Sequence, residues 1–320
     1  MVLQPFFKVI ELHRFSFLCY PGVVSVGLGI KIKNSRFTGI PSLVFGVEKK
    51  VALEELPSGQ LIPGYIDRLP TDVVQIGKIK MLGYSLPHPK APPEDQTDFR
   101  KTRMRPAQPG VSIGHYKVTA GTLGAIVKGE FPGGIAILSN NHILANGTSG
   151  ADGLSRKGDR ILQPAPYDAG GRRDTIARLY DFSPIIPVEK AGRGPVNVID
   201  SALAIPLDPG YVTDSIVGLG RVSGTADARP GMRVYKSGRS TGVTSGQIVS
   251  IGNTIKVANE EKNYVFEEQI GIAAKSGGGD SGSLFVNGQG RAVGLLFAGG
   301  DNITYANPIG RVLDFYKVTM

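Results

Sequence analysis

From Ser112 onward the chain repeats one pattern, short apolar runs separated by glycine-rich turns. The runs cover 121–127, 134–138, 198–205, 232–236, 247–251, 263–273, 283–286 and 292–297. Runs of this length bounded by turn residues predict strands, and their number predicts an all-β sandwich or pair of barrels. Only 309–316, close to the end, has the spacing of a helix. Before residue 84 the pattern is mixed. Val24, Val26, Leu28 and Ile30 alternate with small or polar residues and predict a strand over 23–33. Turn chemistry over 34–39 and a second apolar run over 42–49 predict a hairpin with a longer loop. One or two helical turns are expected over 51–56, before Pro57, and another strand over 72–79. Pro87, Pro89, Pro92, Pro93, Pro106 and Pro109 then predict an extended connector. The expected organisation is a small N-terminal α+β unit over 1–84, a proline-rich linker over 85–110 and a β domain over 111–320.

Length and composition narrow the class. At 320 residues the chain exceeds the ~150 of an ordinary domain, which fits two domains or one large β domain with an appendage. Its 44 glycines are about twice the usual share and suit many short strands and turns. With 41% hydrophobic and 20% charged residues, it is neither a disordered tail, a coiled coil nor a polytopic membrane protein. The uncharged stretch 15–30 follows Lys8 and Arg14 in the manner of a targeting segment. Glu11 precedes it, Pro21 and Gly22 break it and its second half alternates, so it reads as strand. The single cysteine, Cys19, allows no internal disulfide and no cysteine zinc site, which points to a reducing compartment, the cytoplasm.

The net charge of +9 raises a nucleic-acid hypothesis. Up to Arg105 there are 15 basic against 9 acidic residues, and after it 21 against 18, so most of the excess lies in the first third. Arg100, Lys101, Arg103 and Arg105 form its one tight cluster, with Phe99 as the only close aromatic. No groove-reading motif accompanies them, and a solvated linker is the expectation.

The most informative string is Gly278-Gly279-Asp280-Ser281-Gly282-Ser283. A serine nucleophile needs an exposed hydroxyl on a sharply turned loop, with backbone N–H groups aimed at a developing oxyanion. The glycines allow such a turn, and Gly279 and Ser281 are the natural donors. Alone, the string is equally a glycine-rich turn. Two further features add to it. His142 follows the apolar run 135–138, and Asp200 opens the run 198–205. An isolated histidine is usually structural, whereas an aspartate in a strand-like run needs a partner. The order His142, Asp200, Ser281 is that of chymotrypsin-type enzymes and not of subtilisins or α/β-hydrolases.

On these residues, 112–315 resembles a trypsin-like, chymotrypsin-fold serine protease. The segment Val234-Tyr235-Lys236-Ser237-Gly238-Arg239-Ser240-Thr241-Gly242, followed by Gly246, is similar to the stretch before the nucleophile in streptogrisin and α-lytic-type proteases. Pro70-Thr71-Asp72-Val73-Val74 and Ser139-Asn140-Asn141-His142 further resemble bacterial relatives of the plant narrow-leaf-type trypsin-like proteases. The resemblance implies a chymotrypsin-like double β-barrel behind a small N-terminal α+β domain. It implies a catalytic His142, Asp200 and Ser281, with Gly279 and Ser281 as the oxyanion hole and no metal or cofactor. Asp174 is the rival carboxylate, and the Asp-Ser-Ala-Leu-Ala context favours Asp200. Asp280 is expected to be buried and paired with Lys236. Phe297, Ala298 and Gly299 are expected on the strand that receives substrate. Lys275 stands where relatives set the pocket floor: inward it would favour acidic side chains, outward it would say nothing. Ala145 and Tyr235 replace the usual nearby cysteines, which fits a bridge-free intracellular version, and Ser283 replaces a common glycine.

The implied function is a serine endopeptidase acting on protein or peptide, with no nucleic-acid or membrane partner and with homo-oligomer formation left open. A second reading is a protease-fold binding module, its access blocked by the N-terminal unit or by the loop carrying Glu260, Glu261, Glu267 and Glu268. A third is a nucleic-acid-associated protein using the arginine cluster.

Overall fold

The computed structural model describes residues 4–33, 36–56, 60–82, 98–188, 196–258 and 262–320. Pro87, Pro89, Pro92 and Pro93 of the expected linker, and Glu260 and Glu261, lie outside the described residues.

Helix α1 (Gln4–Leu18) buries Phe6, Val9, Ile10, Phe17 and Leu18. Steps of three, one and seven put these on one face, a signal that the alternating run beyond it obscured. Strands β1 (Val23–Lys33) and β2 (Arg36–Val47) form the expected hairpin, with Val26 opposite Phe45. β2 starts earlier than expected, so the connection is shorter than 34–39. A single 3-10 turn (Leu53–Glu55) occupies the expected helical stretch. Then come β3 (Tyr65–Ile66), β4 (Leu69–Gln75), which lies parallel to β2, and β5 (Lys80–Met81).

The next strands are β6 (Ser112–His115), β7 (Gly121–Thr122), β8 (Ala125–Lys128), β9 (Ile135–Ser139), β10 (Arg160–Leu162), β11 (Thr175–Phe182) and β12 (Ala202–Pro206). They pair in the order β7-β6-β10-β11-β12-β9-β8. β7 and β8 are consecutive parts of one stretch, so the ring closes through residues 121–128. A small hairpin, β13 (Ser215–Ile216) and β14 (Gly220–Arg221), leads to the second set. This comprises β15 (Arg233–Gly238), β16 (Gly242–Ala258), β17 (Asn263–Ala274), β18 (Leu284–Asn287), β19 (Ala292–Gly299) and β20 (Thr304–Pro308). The order β15-β18-β19-β20-β17-β16 returns from β16 to β15 and closes a second ring. The protein is therefore all-β, a chymotrypsin-like double barrel.

Ile113, Leu123, Ile137, Ile161 and Ile176 fill the first barrel, and Val234, Ile248, Ile272, Phe285 and Leu296 the second. A third cluster, with Leu138, Leu203, Leu284 and Leu295, joins the barrels and is sealed by helix α3 (Ile309–Tyr316). Each such side chain taken fully from water contributes about 1.5–3 kcal/mol. β16 is 17 residues long and, besides β17, takes different partners along its length. Its start pairs with β15 and its far part with β1, Ser25 lying opposite Ile255. The N-terminal strands thereby share a sheet with the second barrel.

The basic cluster is largely tied inward. Arg100 is buried, and its Nη1 donates to the Gly110 carbonyl (3.0 Å) and to Ser237 Oγ (2.8 Å). Arg105 donates to the carbonyls of Gln163 (3.3 Å) and Asp174 (3.2 Å), and Lys101 pairs with Asp98 (3.3 Å). These contacts pin segment 98–110 against both barrels.

His115 and Asp159 form a buried pair in the first barrel, Nε2 lying 3.1 Å from Oδ2. The Lys117 N–H donates to Nδ1, so the neutral ring with its proton on Nε2 satisfies both contacts. Burial, the largest influence, pushes the ring below its usual pKa, against the pull of Asp159. The unfolded chain therefore takes up a proton near pH 6.5 while the folded chain does not, and stability falls as pH drops below that point. The expected slope is at most about 1.4 kcal/mol per pH unit for one proton. Urea midpoints at pH 7.5 and 5.5 check this, and His115→Gln should flatten the difference.

Candidate active site

β12 runs antiparallel to β9, with Ala202 opposite Ser139 and Leu203 opposite Leu138. Continuing that register past the strand ends sets Asp200 against the start of helix α2 (Asn141–Leu144). There the Asp200 carboxylate accepts twice from His142, at 3.2 Å from its backbone N–H and 2.5 Å from Nδ1. Both side chains are fully buried. A proton held on Nδ1 by a carboxylate leaves Nε2 as the basic nitrogen. Asp174 is elsewhere: its Oδ2 accepts from the Gly171 N–H (2.9 Å) and caps a 3-10 turn.

Two asparagines that the sequence reading did not single out hold the backbone of Asp200. Asn140 Nδ2 donates to its carbonyl (2.7 Å). Asn307, from β20 of the other barrel, accepts from its N–H (3.1 Å) and donates to its carbonyl (3.2 Å). Both are fully buried amides beside apolar strands, which is the signal that could have found them.

Ser281 lies in the turn before β18. Gly279 and Gly282 have φ of +94° and +92°, a region that side chains disfavour. A Cβ on Gly282 would meet Ser139 Oγ at 2.1 Å and the Thr122 carbonyl at 2.3 Å. Glycine there lets the serine turn press against the end of β9, the strand that runs on to His142. Thr122 fastens the two sides, its N–H donating to the Ser281 carbonyl and its hydroxyl to the Gly279 carbonyl, each 2.8 Å. Ser281 Oγ donates to the Phe297 carbonyl at 3.2 Å.

Asp280 turns the opposite way, into the second barrel. Lys236 Nζ lies 3.0 Å from Oδ2, and both side chains are fully buried. The carboxylate also accepts from the N–H groups of Ser240 (2.9 Å), Thr241 (3.1 Å) and Gly277 (3.0 Å) and from the Thr241 hydroxyl (2.6 Å). Burial pushes the Lys236 amine below its usual range, and Asp280 opposes that push. Arg239 braces the same loop. Its guanidinium pairs with Asp168, and its side chain lies where a Cβ on Gly279 would meet it at 2.8 Å.

The remaining predicted positions fall on or near β19. The Phe297 ring packs inward on Phe266 (4.8 Å), so this residue offers the cleft its carbonyl and not its side chain. Ala298 and Gly299 present backbone, and it is already paired: Met81 lies opposite Ala298 and Lys80 opposite Gly299. The Gly279 N–H likewise donates to the Leu82 carbonyl at 2.6 Å. Lys275 is exposed, which is the outward alternative. Glu267 pairs with Arg14 (2.8 Å) and Glu268 with Arg311 (2.6 Å), so what covers the cleft is the N-terminal segment and not these acids. Among the described residues no cluster of three His, Cys, Asp or Glu could hold a metal ion, and no helix is long and apolar enough to cross a membrane.

No family model and no curated protein matches the chain. Solved structures to which it is similar include Thermobifida fusca Protease A, at 19% identity and TM-score 0.46, covering 67% of this chain and 98% of that one. Another is a Cellulomonas bogoriensis chymotrypsin, at 18% identity and TM-score 0.46, with the same coverage. A third is a glutamic acid specific serine protease, at 19% identity and TM-score 0.47, covering 67% of this chain and all of that one. Superposition is partial in each case, and the double barrel stands on its strand pairing.

Proposed function

We propose that the protein is a serine endopeptidase that cleaves peptide bonds through an acyl-enzyme on Ser281. The observation that carries this is the buried His142–Asp200 pair just past the end of β9, together with the close approach of Gly282 in the Ser281 turn to Ser139 at the end of that strand. Ser281 Oγ attacks the scissile carbonyl, and His142 Nε2 takes its proton and returns it to the leaving amine. Asp200 keeps the proton on Nδ1 and stabilises the imidazolium, while the N–H groups of Gly279 and Ser281 receive the oxyanion. Water then enters by the same route and releases the acyl group as a carboxylate. Leaving Gly282 free of a side chain is part of this assembly. Gly282→Ala is expected to lower peptide hydrolysis at least ~100-fold by forcing the serine turn off β9, which a kcat/KM measurement on a folded variant checks.

A second reading, a protease-fold binding module, draws on one observation, the pairing of residues 80–82 along the substrate strand. A fluorophosphonate probe separates the two. Slow labelling of the intact protein that vanishes in Ser281→Ala is the expected result, since only an activated hydroxyl reacts. Folded protein that stays unlabelled over a day would leave the binding reading.

A further inference from the structure

The basic run that the sequence displays, Arg100 to Arg105, is largely tied inward, but the fold assembles a second cluster from two separated segments, 156–160 and 172–178. On the outward face of the first barrel they line a cleft of about 640 Å³. That volume lies within the ~300–1,000 Å³ of ligand-binding clefts. Arg156, Lys157, Arg160, Arg172 and Arg178 border it, and its one acid is Asp159. Asp159 is turned inward, its carboxylate engaged by the His115 ring (3.1 Å) and the Arg156 N–H (2.9 Å). The Arg156 side chain comes only within 3.7 Å of Asp159 Oδ1, and Lys157 pairs with Asp181 at 2.8 Å. Among the described residues no acid pairs with Arg160, Arg172 or Arg178.

Two of these cations are set in place by the sheet. β10 and β11 put Arg160 directly opposite Arg178. Like charges facing each other across two strands repel, so the folding of the barrel does not itself favour the pair. The Arg160 guanidinium lies over the Tyr116 ring at 5.0 Å, and Arg178 Nη1 donates to the Gly158 carbonyl at 3.3 Å. A guanidinium carries five N–H donors, and Arg178 spends one of them there. Forks held in this way meet a planar anion with little further loss of side-chain freedom. Arg172, exposed on the 3-10 turn Arg172–Asp174, adds a third charge without an acidic partner.

We infer that this cleft binds an acidic polypeptide segment, one with several Asp or Glu residues beside an apolar one. Guanidinium groups take carboxylates through paired N–H···O bonds. Leu207, 52% exposed in the lining, supplies the apolar contact. Nucleic acid is served less well. Tyr116 is the one aromatic in the lining, and its ring is already engaged by Arg160, by Lys117 (5.4 Å) and by His115 (4.5 Å), so a base has no open platform to stack on. The cleft is concave and lined by strands and turns, with no helix to enter a duplex groove. Binding there needs no activity of Ser281: the cleft belongs to the first barrel, and Ser281 stands on the second.

Fluorescence anisotropy with the full-length Ser281→Ala chain, which cannot consume the probe, tests this. The probe is a fluorescein-labelled peptide in which pairs of glutamates alternate with single leucines. It should bind, and raising the salt from about 0.05 to about 0.3 M should weaken binding at least ~10-fold. Adding Arg160→Gln and Arg178→Gln together, in a chain that circular dichroism shows folded, should weaken it at least ~30-fold. Arg172→Gln, on its exposed turn and clear of the strands, should weaken it about 3-fold to 10-fold. Arg229→Gln removes an exposed cation outside the cleft and should leave the affinity unchanged. Equal losses in Arg172→Gln and Arg229→Gln would show attraction to the net charge of +9 alone and would overturn the site. Folded chain that does not bind the peptide overturns it as well, and tighter binding of a single-stranded oligonucleotide of equal charge overturns the polypeptide assignment.

Discussion

His142→Ala, assayed at a temperature where circular dichroism shows it folded, is expected to hydrolyse a peptide about a million-fold more slowly than wild type. Ser281→Ala should lose as much, and the double variant no more than either, because nucleophile and base act as one unit and removing either disables both. Asp200→Asn should fall less far, about ten-thousand-fold in kcat. It leaves the contacts of Asn140 and Asn307 to the backbone of residue 200 in place, and it loses only the carboxylate that keeps the proton on Nδ1. Kinetics of the four variants, measured against the uncatalysed reaction, read this ranking directly. Losses for the two single variants that multiply in the double would mean that Ser281 and His142 act in separate places, and the triad reading would fail.

The ranking depends on an arrangement that the sequence carried unevenly. Residue order and local context point to His142, Asp200 and Ser281, because each sits at the junction of an apolar run and a turn. That Asp280 needs a cation was legible from the cost of burying a lone carboxylate, and Lys236 as that cation came from the resemblance of 234–242 to the bacterial proteases. Strands were legible where apolar residues were dense. β10, β11 and β20 were not, because Arg160, Arg178, Tyr180 and Asn307 interrupt their apolar pattern. Asn307 shows why such residues escape. Its side chain bonds to the backbone of Asp200, 107 positions away, a contact set by the closure of two barrels and by no local periodicity. Leu82 is a similar case. Nothing in Lys80-Met81-Leu82 distinguishes it from an ordinary strand end, and its pairing with β19 is visible only once the second barrel is built.

Removing the amine of Lys236 should be the most destabilising single change near the site. Lys236→Met keeps the length and apolar stem of the side chain but leaves Asp280 without its cation in a place fully closed to water. Breaking a buried pair from one side costs about 3–5 kcal/mol, which for a chain of this size lowers the melting midpoint by on the order of 10 °C. Four backbone and hydroxyl donors still hold the carboxylate, from Ser240, Thr241 and Gly277, which places the expected loss towards the lower end of that range. Asp280→Asn should cost a comparable amount, because its NH2 group would meet donors where the carboxylate now accepts. The double variant removes both charges, so its loss should be smaller than the sum of the two single losses by at least ~1 kcal/mol. Urea unfolding of all four chains measures that coupling. Strict additivity would show that the two groups do not stabilise each other in solution. On the endopeptidase reading, the loop they anchor also carries the Gly279 and Ser281 N–H groups assigned to the oxyanion, so each single variant should lower kcat more than it raises KM.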